Sequence, residues 1–595
     1  MSKTVSDQIV ERLHAWGVRR VFGYPGDGIN GVMGALNRMS VHVEFIQARH
    51  EELASFMATA HAKFTGEVGV CIATSGPGAI HLLNGLYDAK ADHQPVVALV
   101  GQQARSAMGG DYQQEVDLLS LFKDVAHEYV QVAMVPGQVR HLVDRAFRIA
   151  RDRRCVTCII LPNDLQNEPA VEEPPREHGT VHSGIGETLQ HCVPGERDLQ
   201  VAAKVLNEGK RVAILAGAGA LRAGKELVAV ADLLGAGIAK ALLGKAAVPD
   251  DLPFVTGAIG LLGTQPSWEL MERCDTLLMV GSSFPYSEFL PKEGSARGVQ
   301  IDIDGKQLGL RYPMEVNLVG DSQLTLRALL PLLQRKADRS WRGEIEENVA
   351  SWGRVMQERA ANEANPINPQ LAFRELSTQL PDESIVVCDS GTTAAWYARD
   401  IVFREGMMGS VSGGLASMGC AVPYALAAKL AHPNRQVVAL LGDGAMQMIG
   451  MNALITVAHR WKEWRDKRFL VMVLSNSDLN MVTWEQRGTE GEPRFEGSQV
   501  LPQFPYAEYA KLLGLHGIKV DRPDQIRSAW QEAFACDRPV LVEMVTDPNV
   551  PPLPPHVSGK QVRNYFSALV HRDPQALEVV KATAKEWWDG VRRKG

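Results

Sequence analysis

Asp443 and Asn476 are the side chains of this sequence best suited to hold a hard divalent cation. Asp443 belongs to the Gly-Asp-Gly at 442–444, which follows the apolar run QVVAL and precedes MQMIGMNALITVAHRW, a stretch with helical spacing. Asn476 ends a second apolar run, FLVMVL, in the sequence Ser475-Asn476-Ser477-Asp478. In a parallel sheet the C-terminal ends of neighbouring strands converge on one crevice, where ligands bind. A carboxylate and an amide oxygen facing each other there, with a backbone carbonyl, suit an octahedral Mg²⁺ that also takes diphosphate oxygens. Asp478, two residues on, is the third candidate ligand. Gly444 and Ala445 keep bulk away from the point where a helix N-terminus would meet the phosphate.

The same tripeptide occurs in GYPGDGIN at 23–30. The next strand-like segment there, VEFIQARHEE, ends in Arg49-His50-Glu51, a poor cage for a hard cation. That first copy reads as a glycine-rich turn between a strand and a helix, as expected by chance in a chain with 54 glycines.

The elements that must position these groups form one grammar. Short, continuously apolar runs ending in Gly, Asp or Ser (VGVCIATSGPG, PVVALVG, TCIILPND, RVAILAGAGA, TLLMVGSS, VQIDID, SIVVCDSG, PVLVEMVTD) alternate with helix-compatible stretches. This is the signature of parallel sheets covered on both faces. A chain of 595 residues exceeds one core. Polar, Pro/Gly-rich linkers at 167–198 and 361–370 divide it into blocks at 1–180, 195–345 and 365–548, followed by a tail at 549–595. The expected fold class is therefore α/β, with three doubly wound parallel-sheet domains. Ordinary composition and a net charge of −7 argue against nucleic acid as a partner. Val5, Ile9, Leu13 and Trp16 mark an opening amphipathic helix rather than a secretion signal. Most of the eight cysteines sit in apolar strand-like runs, including the CxxC of CVTCIILP, and read as buried thiols of a reducing compartment.

Gly-Asp-Gly followed by a strand ending in Asn resembles the fingerprint of the thiamin-diphosphate-dependent enzymes. Three further segments carry the same resemblance: RHEELASFMATAHAKFTG (49–66), TSGPGAIHLLNGLYDA (74–89) and GGLASMGCAVPYALAAKL (413–430). It runs from about residue 5 to 548 and is nearest to pyruvate oxidases of the quinone-dependent bacterial type, then to acetolactate synthases.

The resemblance implies a role for each matching residue. Glu51 is the carboxylate that meets the pyrimidine ring nitrogen and activates the cofactor, with Glu52 turned to the surface. Met418 is the apolar wedge that keeps the two rings bent together, Ala416 offers a backbone carbonyl, and Ser417 lies between them. Thr392, in Gly391-Thr392-Thr393, belongs to the diphosphate loop. Gln114 and Glu115 match a loop at the reacting centre, where Gln113 replaces a common aromatic. Asn480 replaces a common glycine, and Met481, Val482, Trp484 and Glu485 belong to the acyl pocket and lid. Read without the resemblance, Glu51 is a solvated helix-start carboxylate, Met418 a core methionine and Thr392 a helix cap.

In this family, decarboxylation of a 2-oxo acid leaves an enamine that is protonated, ligated or oxidised. Protonating decarboxylases use paired histidines, whereas DHQPVV has one, His93. Gly260, Gly263, Gly281, Phe284 and Asp302, in GAIGLLG, VGSSFPYSEF and VQIDID, resemble the FAD-binding segments of pyruvate oxidase. The expectation is an Mg²⁺- and thiamin-diphosphate-dependent, FAD-assisted oxidase of a pyruvate-like acid. An acetolactate-synthase-like carboligase is the alternative. A non-catalytic paralogue and a nicotinamide dehydrogenase, the latter resting on the Gly-Ala-Gly-Ala turn alone, rank below both. Homodimers or homotetramers with intersubunit sites follow from the family pattern. The expected location is the cytoplasm or the inner-membrane periphery. The tail pairs Leu577, Val580 and Trp587-Trp588 with Lys and Arg, as would a helix touching lipid or quinone, or one docked on the protein itself.

Overall fold

A computed structural model describes residues 3–186 and 192–555. The tail helix expected near the C-terminus lies outside the described residues. Three six-stranded sheets carry the fold. The N-terminal sheet runs, edge to edge, Glu44–Gln47, Arg20–Gly23, Gly69–Ala73, Val96–Gln102, Val156–Pro162 and Val130–Val132. The central sheet runs Val316–Val319, Arg297–Asp302, Thr276–Val280, Val212–Ala216, Gly237–Lys240 and Val255–Ala258. The C-terminal sheet runs Met408–Ser410, Ile385–Cys388, Val437–Gly442, Phe469–Ser475, Val540–Val545 and His516–Val520. The fold class expected from alternating apolar runs is the one observed, and the strand pairings are parallel. Inner strands such as Val96–Gln102 and Val156–Pro162 are buried along their whole length, which is why they read as unbroken apolar runs.

In chain order, the first and third sheets have the same arrangement, 2-1-3-4-6-5, reversing direction between their first and third strands. The central sheet instead reverses between Thr276–Val280 and Val212–Ala216, the dinucleotide-binding order.

The described chain packs as two compact units. One joins the N-terminal sheet to Ser412–Ala439 and Ala445–Phe469; the other holds the central sheet with Leu440–Gly444 and the chain beyond Leu470. In the first unit, helix Val5–Ala15 starts with a Thr4–Asp7 capping box and buries Val5, Ile9 and Leu13 against the sheet. Helix Glu51–Thr65 is capped by His50, whose Nδ1 accepts the Glu52 N–H at 3.2 Å, and stops at Gly66 in a left-handed turn. Cys71 and Cys158 are fully buried, and burial pushes the Cys71 thiol to about 12, so neither is a reactive thiol.

Candidate active site

Thr392, Asp443 and Asn476 lie in the second unit. Strands Ile385–Cys388 and Val437–Gly442 flank the reversal of the C-terminal sheet; the second runs directly into a helix and the first reaches one through a short turn. Helix Thr392–Asp400 has Gly391 as its N-cap at φ +101°, with no capping side chain. Thr392 is thus the first helical residue and not a cap, and it is buried there.

Asp443 opens the helix after Val437–Gly442 and is 4% exposed. Its Oδ2 accepts the N–H groups of Asn476 (2.9 Å) and Ser477 (2.6 Å), and its Oδ1 accepts that of Gly444 (2.9 Å). Ser477 is in the left-handed region, φ +55°, which lets two successive N–H groups converge on one oxygen. Burial lifts the Asp443 carboxyl to about 6 despite these bonds, with Asp478 adding to the rise. A buried carboxylate held this way favours a cation at its remaining lone pairs. The Asn476 amide oxygen, which accepts the Asp478 N–H at 3.1 Å, is anchored in the same turn. These hard oxygens fit Mg²⁺. The Asp478 carboxylate is committed elsewhere: it pairs with Arg494 at 2.8 Å and accepts from Asn480 and Thr483. Only its main chain is suited to join the cation set. Asn480 also donates to the Pro548 carbonyl at 2.8 Å, so the residue in the usual glycine position ties down the chain after the last strand.

The first unit carries Glu51, Glu52, Gln114, Ala416, Ser417, Met418 and Ala445. Glu51 is the first residue of helix Glu51–Thr65 and is 8% exposed, unlike a solvated helix-start carboxylate. Its Oε2 meets His81 Nδ1 at 3.0 Å, and the His81 and His50 rings stack with centroids 4.5 Å apart. Sequence reasoning did not single out His81; its place one helical turn after the Gly-Pro-Gly was the available signal. Glu52, expected at the surface, is part-buried and accepts a hydrogen bond from Asn84, which also donates to Ser417. The correction has a simple cause: helix Leu83–Ala91 packs on that face of helix Glu51–Thr65. Gln114 is exposed, at φ +61°, and accepts a hydrogen bond from Ser75 at 3.3 Å. Ala416 is exposed at φ +54°, whereas Ser417 and Met418 are half-buried, so Met418 is not a core methionine. Ala445 is fully buried and Gly444 half-buried.

In the central sheet, Gly281 follows Thr276–Val280 at φ +54°, and a Cβ there would lie 2.5 Å from Gly219 Cα. Side chains at Gly260 and Gly263 would meet the Phe284 ring and the Ala258 carbonyl. The chain's own packing therefore accounts for these three glycines. Phe284 is buried against an exposed Tyr286, and Asp302, at the end of Arg297–Asp302, accepts the Asp304 N–H at 3.0 Å. Asp302 ends the strand next to the sheet's reversal, a place from which an acidic side chain can meet a nucleotide ribose.

Comparison with known proteins identifies the family. Residues 3–121 match the thiamine pyrophosphate enzyme N-terminal TPP binding domain, 199–329 its central domain, and 389–544 its C-terminal TPP binding domain. The chain belongs to the thiamine pyrophosphate enzyme family. Among similar proteins, a putative thiamine pyrophosphate-containing protein, YdaP, of Bacillus subtilis is 36% identical, covering 96% of each chain. Pyruvate oxidase of Lactiplantibacillus plantarum is 29% identical over 90% of this chain and 87% of its own. The large subunit of acetolactate synthase isozyme 2 of Escherichia coli is 30% identical over 94% of this chain and 99% of its own. This family member is an enzyme related to both groups. No helix among the described residues is long and apolar enough to cross a membrane.

Proposed function

We propose that this enzyme decarboxylates a pyruvate-like 2-oxo acid with thiamin diphosphate and Mg²⁺ and passes the two released electrons to FAD. The carrying observation is the Asp443 carboxylate, buried and clasped by the Asn476 and Ser477 N–H groups beside the Asn476 amide. The cofactor supplies the nucleophilic carbon that attacks the 2-oxo group and the electron sink for loss of CO₂. The chain supplies the remaining functions. Asp443 and Asn476 hold the cation, and the helix starts at Thr392 and Asp443 receive the diphosphate. Glu51 holds a proton at the pyrimidine ring nitrogen, with His81 orienting its carboxyl. Met418 and Ala416 present an apolar wedge and a carbonyl, and Gln114 faces the substrate from its exposed loop.

Asp302, beside the strand-order reversal, and Phe284 support a flavin in the central domain. Sites completed by a second subunit, in a homodimer or homotetramer, are part of the same reading. A membrane-peripheral location with quinone as acceptor would depend on residues beyond 555.

A carboligase that joins two 2-oxo acids is the second reading, favoured by the near full-length similarity to acetolactate synthase. One preparation separates the two. Flavin absorption with pyruvate-dependent reduction of an artificial acceptor supports the oxidase; acetolactate without acceptor reduction supports the ligase. Pyruvate turnover that is indifferent to thiamin diphosphate and Mg²⁺ would refute both.

A further inference from the structure

Helix Leu83–Ala91 and the residue after it, Asp92, carry three polar side chains four residues apart: Asn84, Asp88 and Asp92. That spacing places them on one face. All three grip the segment 412–417, which leads into Met418. Asp92 accepts the Gly414 N–H at 2.6 Å and the Gly413 N–H at 3.0 Å. Asp88 accepts the Ser412 hydroxyl at 2.6 Å, and the same hydroxyl oxygen accepts the Ser417 N–H at 2.9 Å. Asn84 donates to the Ser417 hydroxyl at 2.9 Å. The two carboxylate side chains are fully buried; Lys63 pairs with Asp92 at 2.6 Å, and Tyr424 donates to Asp88. The approach is close enough that a side chain at Gly414 would meet the Ala91 carbonyl at 2.8 Å.

Two buried carboxylates with one lysine are costly to assemble unless their hydrogen bonds are made. Here those bonds end on a six-residue segment with little apolar packing of its own, in which residues 413–416 are exposed. Ala416, a non-glycine at φ +54°, sits in that segment, and such a conformation is retained only when its surroundings over-determine it.

We propose that Asn84, Asp88 and Asp92 form a positioning device that forces 412–417 into the shape presenting Ala416 and Met418 to the cofactor's rings. They thereby set thiamin diphosphate affinity without touching the cofactor. This rests on the functional reading above. The segment and its clamp serve the ring half of the ligand, so inorganic pyrophosphate, which has no rings, should not sense them.

The test compares thiamin diphosphate with magnesium pyrophosphate, each titrated by calorimetry into the full-length protein at saturating Mg²⁺. Asp92→Asn is expected to weaken thiamin diphosphate by about 10- to 100-fold, the scale of lost charge-assisted hydrogen bonds. Pyrophosphate binding is expected to change by less than about twofold. Adding Ala416→Gly to Asp92→Asn should restore part of the affinity, because glycine adopts the left-handed conformation unaided; a merely stabilising carboxylate would give no such rescue. Should Asp92→Asn not fold, Ser412→Ala removes the junction between Asp88 and Ser417 and is expected to produce about a tenfold effect on thiamin diphosphate alone. Equal thiamin diphosphate binding by native protein and variants, or parallel weakening of both ligands, overturns the inference alone. No thiamin diphosphate binding by the native protein overturns the functional reading and the inference with it.

Discussion

The N-terminal and C-terminal sheets share one strand order, yet only the C-terminal one places a carboxylate and an amide after its third and fourth strands. In the C-terminal sheet Asp443 follows the third strand and Asn476 the fourth, so a carboxylate and the turn carrying an amide meet at the ends of two neighbouring strands. In the N-terminal sheet the corresponding ends give Thr74-Ser75-Gly76 and Gln102-Gln103, hydroxyls and neutral amides with no carboxylate. Its Gly-Asp-Gly follows the first strand instead. There Asp27 is exposed and bonds the N–H of its own neighbour, Gly28, at 2.9 Å. Identical topology provides two crevices; the residues at the third and fourth strand ends decide which can bind a metal. The tripeptide alone decides nothing, because the two copies are not topological equivalents.

The largest way to break this comparison is Asp443→Asn. It should abolish Mg²⁺-dependent binding of thiamin diphosphate and turnover together, with losses of about 10³-fold or more, since a cation clamp contributes several kcal/mol. Retained Mg²⁺ dependence would place the cation elsewhere. Glu51→Gln should lower turnover about 10²- to 10⁴-fold, as for loss of a proton-transfer group, while leaving magnesium pyrophosphate affinity unchanged. Undiminished turnover would remove Glu51 from the chemistry.

Arg494→Met should cost stability rather than chemistry. It strips the partner from the buried Asp478 carboxylate, and breaking such a pair costs about 3 kcal/mol, read as a lowered Tm. An unchanged Tm would show that Asn480 and Thr483 suffice. A smaller effect concerns pH. Burial raises Asp443 from 3.8 to about 6, so below about pH 6 the metal-free folded protein favours the protonated carboxyl. Ionising it costs stability as pH climbs from about 4 to 6, and Mg²⁺ competes with that proton. The rise in Tm caused by Mg²⁺ should therefore grow from about pH 4 to about pH 7; a flat response would contradict the site. Asp27→Asn should be nearly silent, within about 0.5 kcal/mol and twofold in activity, as for an exposed side chain. A large effect there would erase the distinction between the two sheets.

Long inner strands were legible because both of their faces are buried, which writes continuous apolar runs into the chain. Several short strands were not: Val130–Val132, Met408–Ser410 and Gly237–Lys240 span three or four residues and, unlike Ile385–Cys388, contain no run of bulky apolar residues ending in a polar turn. Asp443 and Asn476 were legible because strand ends announce themselves. Glu51 needed the family resemblance, since its burial against His81 comes from a turn 30 residues away. Glu52 was misread for the same reason, its partner Asn84 lying on another helix. The carboxylate of Asp478 could not be assigned from sequence because Arg494 reaches it from a later loop.

Alternation of apolar runs with helical stretches, and the residue types at strand ends, determined by themselves the α/β class and a metal-suited pair, because both depend on spacing along a few consecutive residues. The tertiary structure alone decided which carboxylates are buried, which are consumed by arginine or lysine, and what holds residues 412–417 in shape. Those properties depend on groups tens to hundreds of residues apart in the chain. Burial and hydrogen bonding, which set a carboxylate's charge and direction, exist only once the chain has folded.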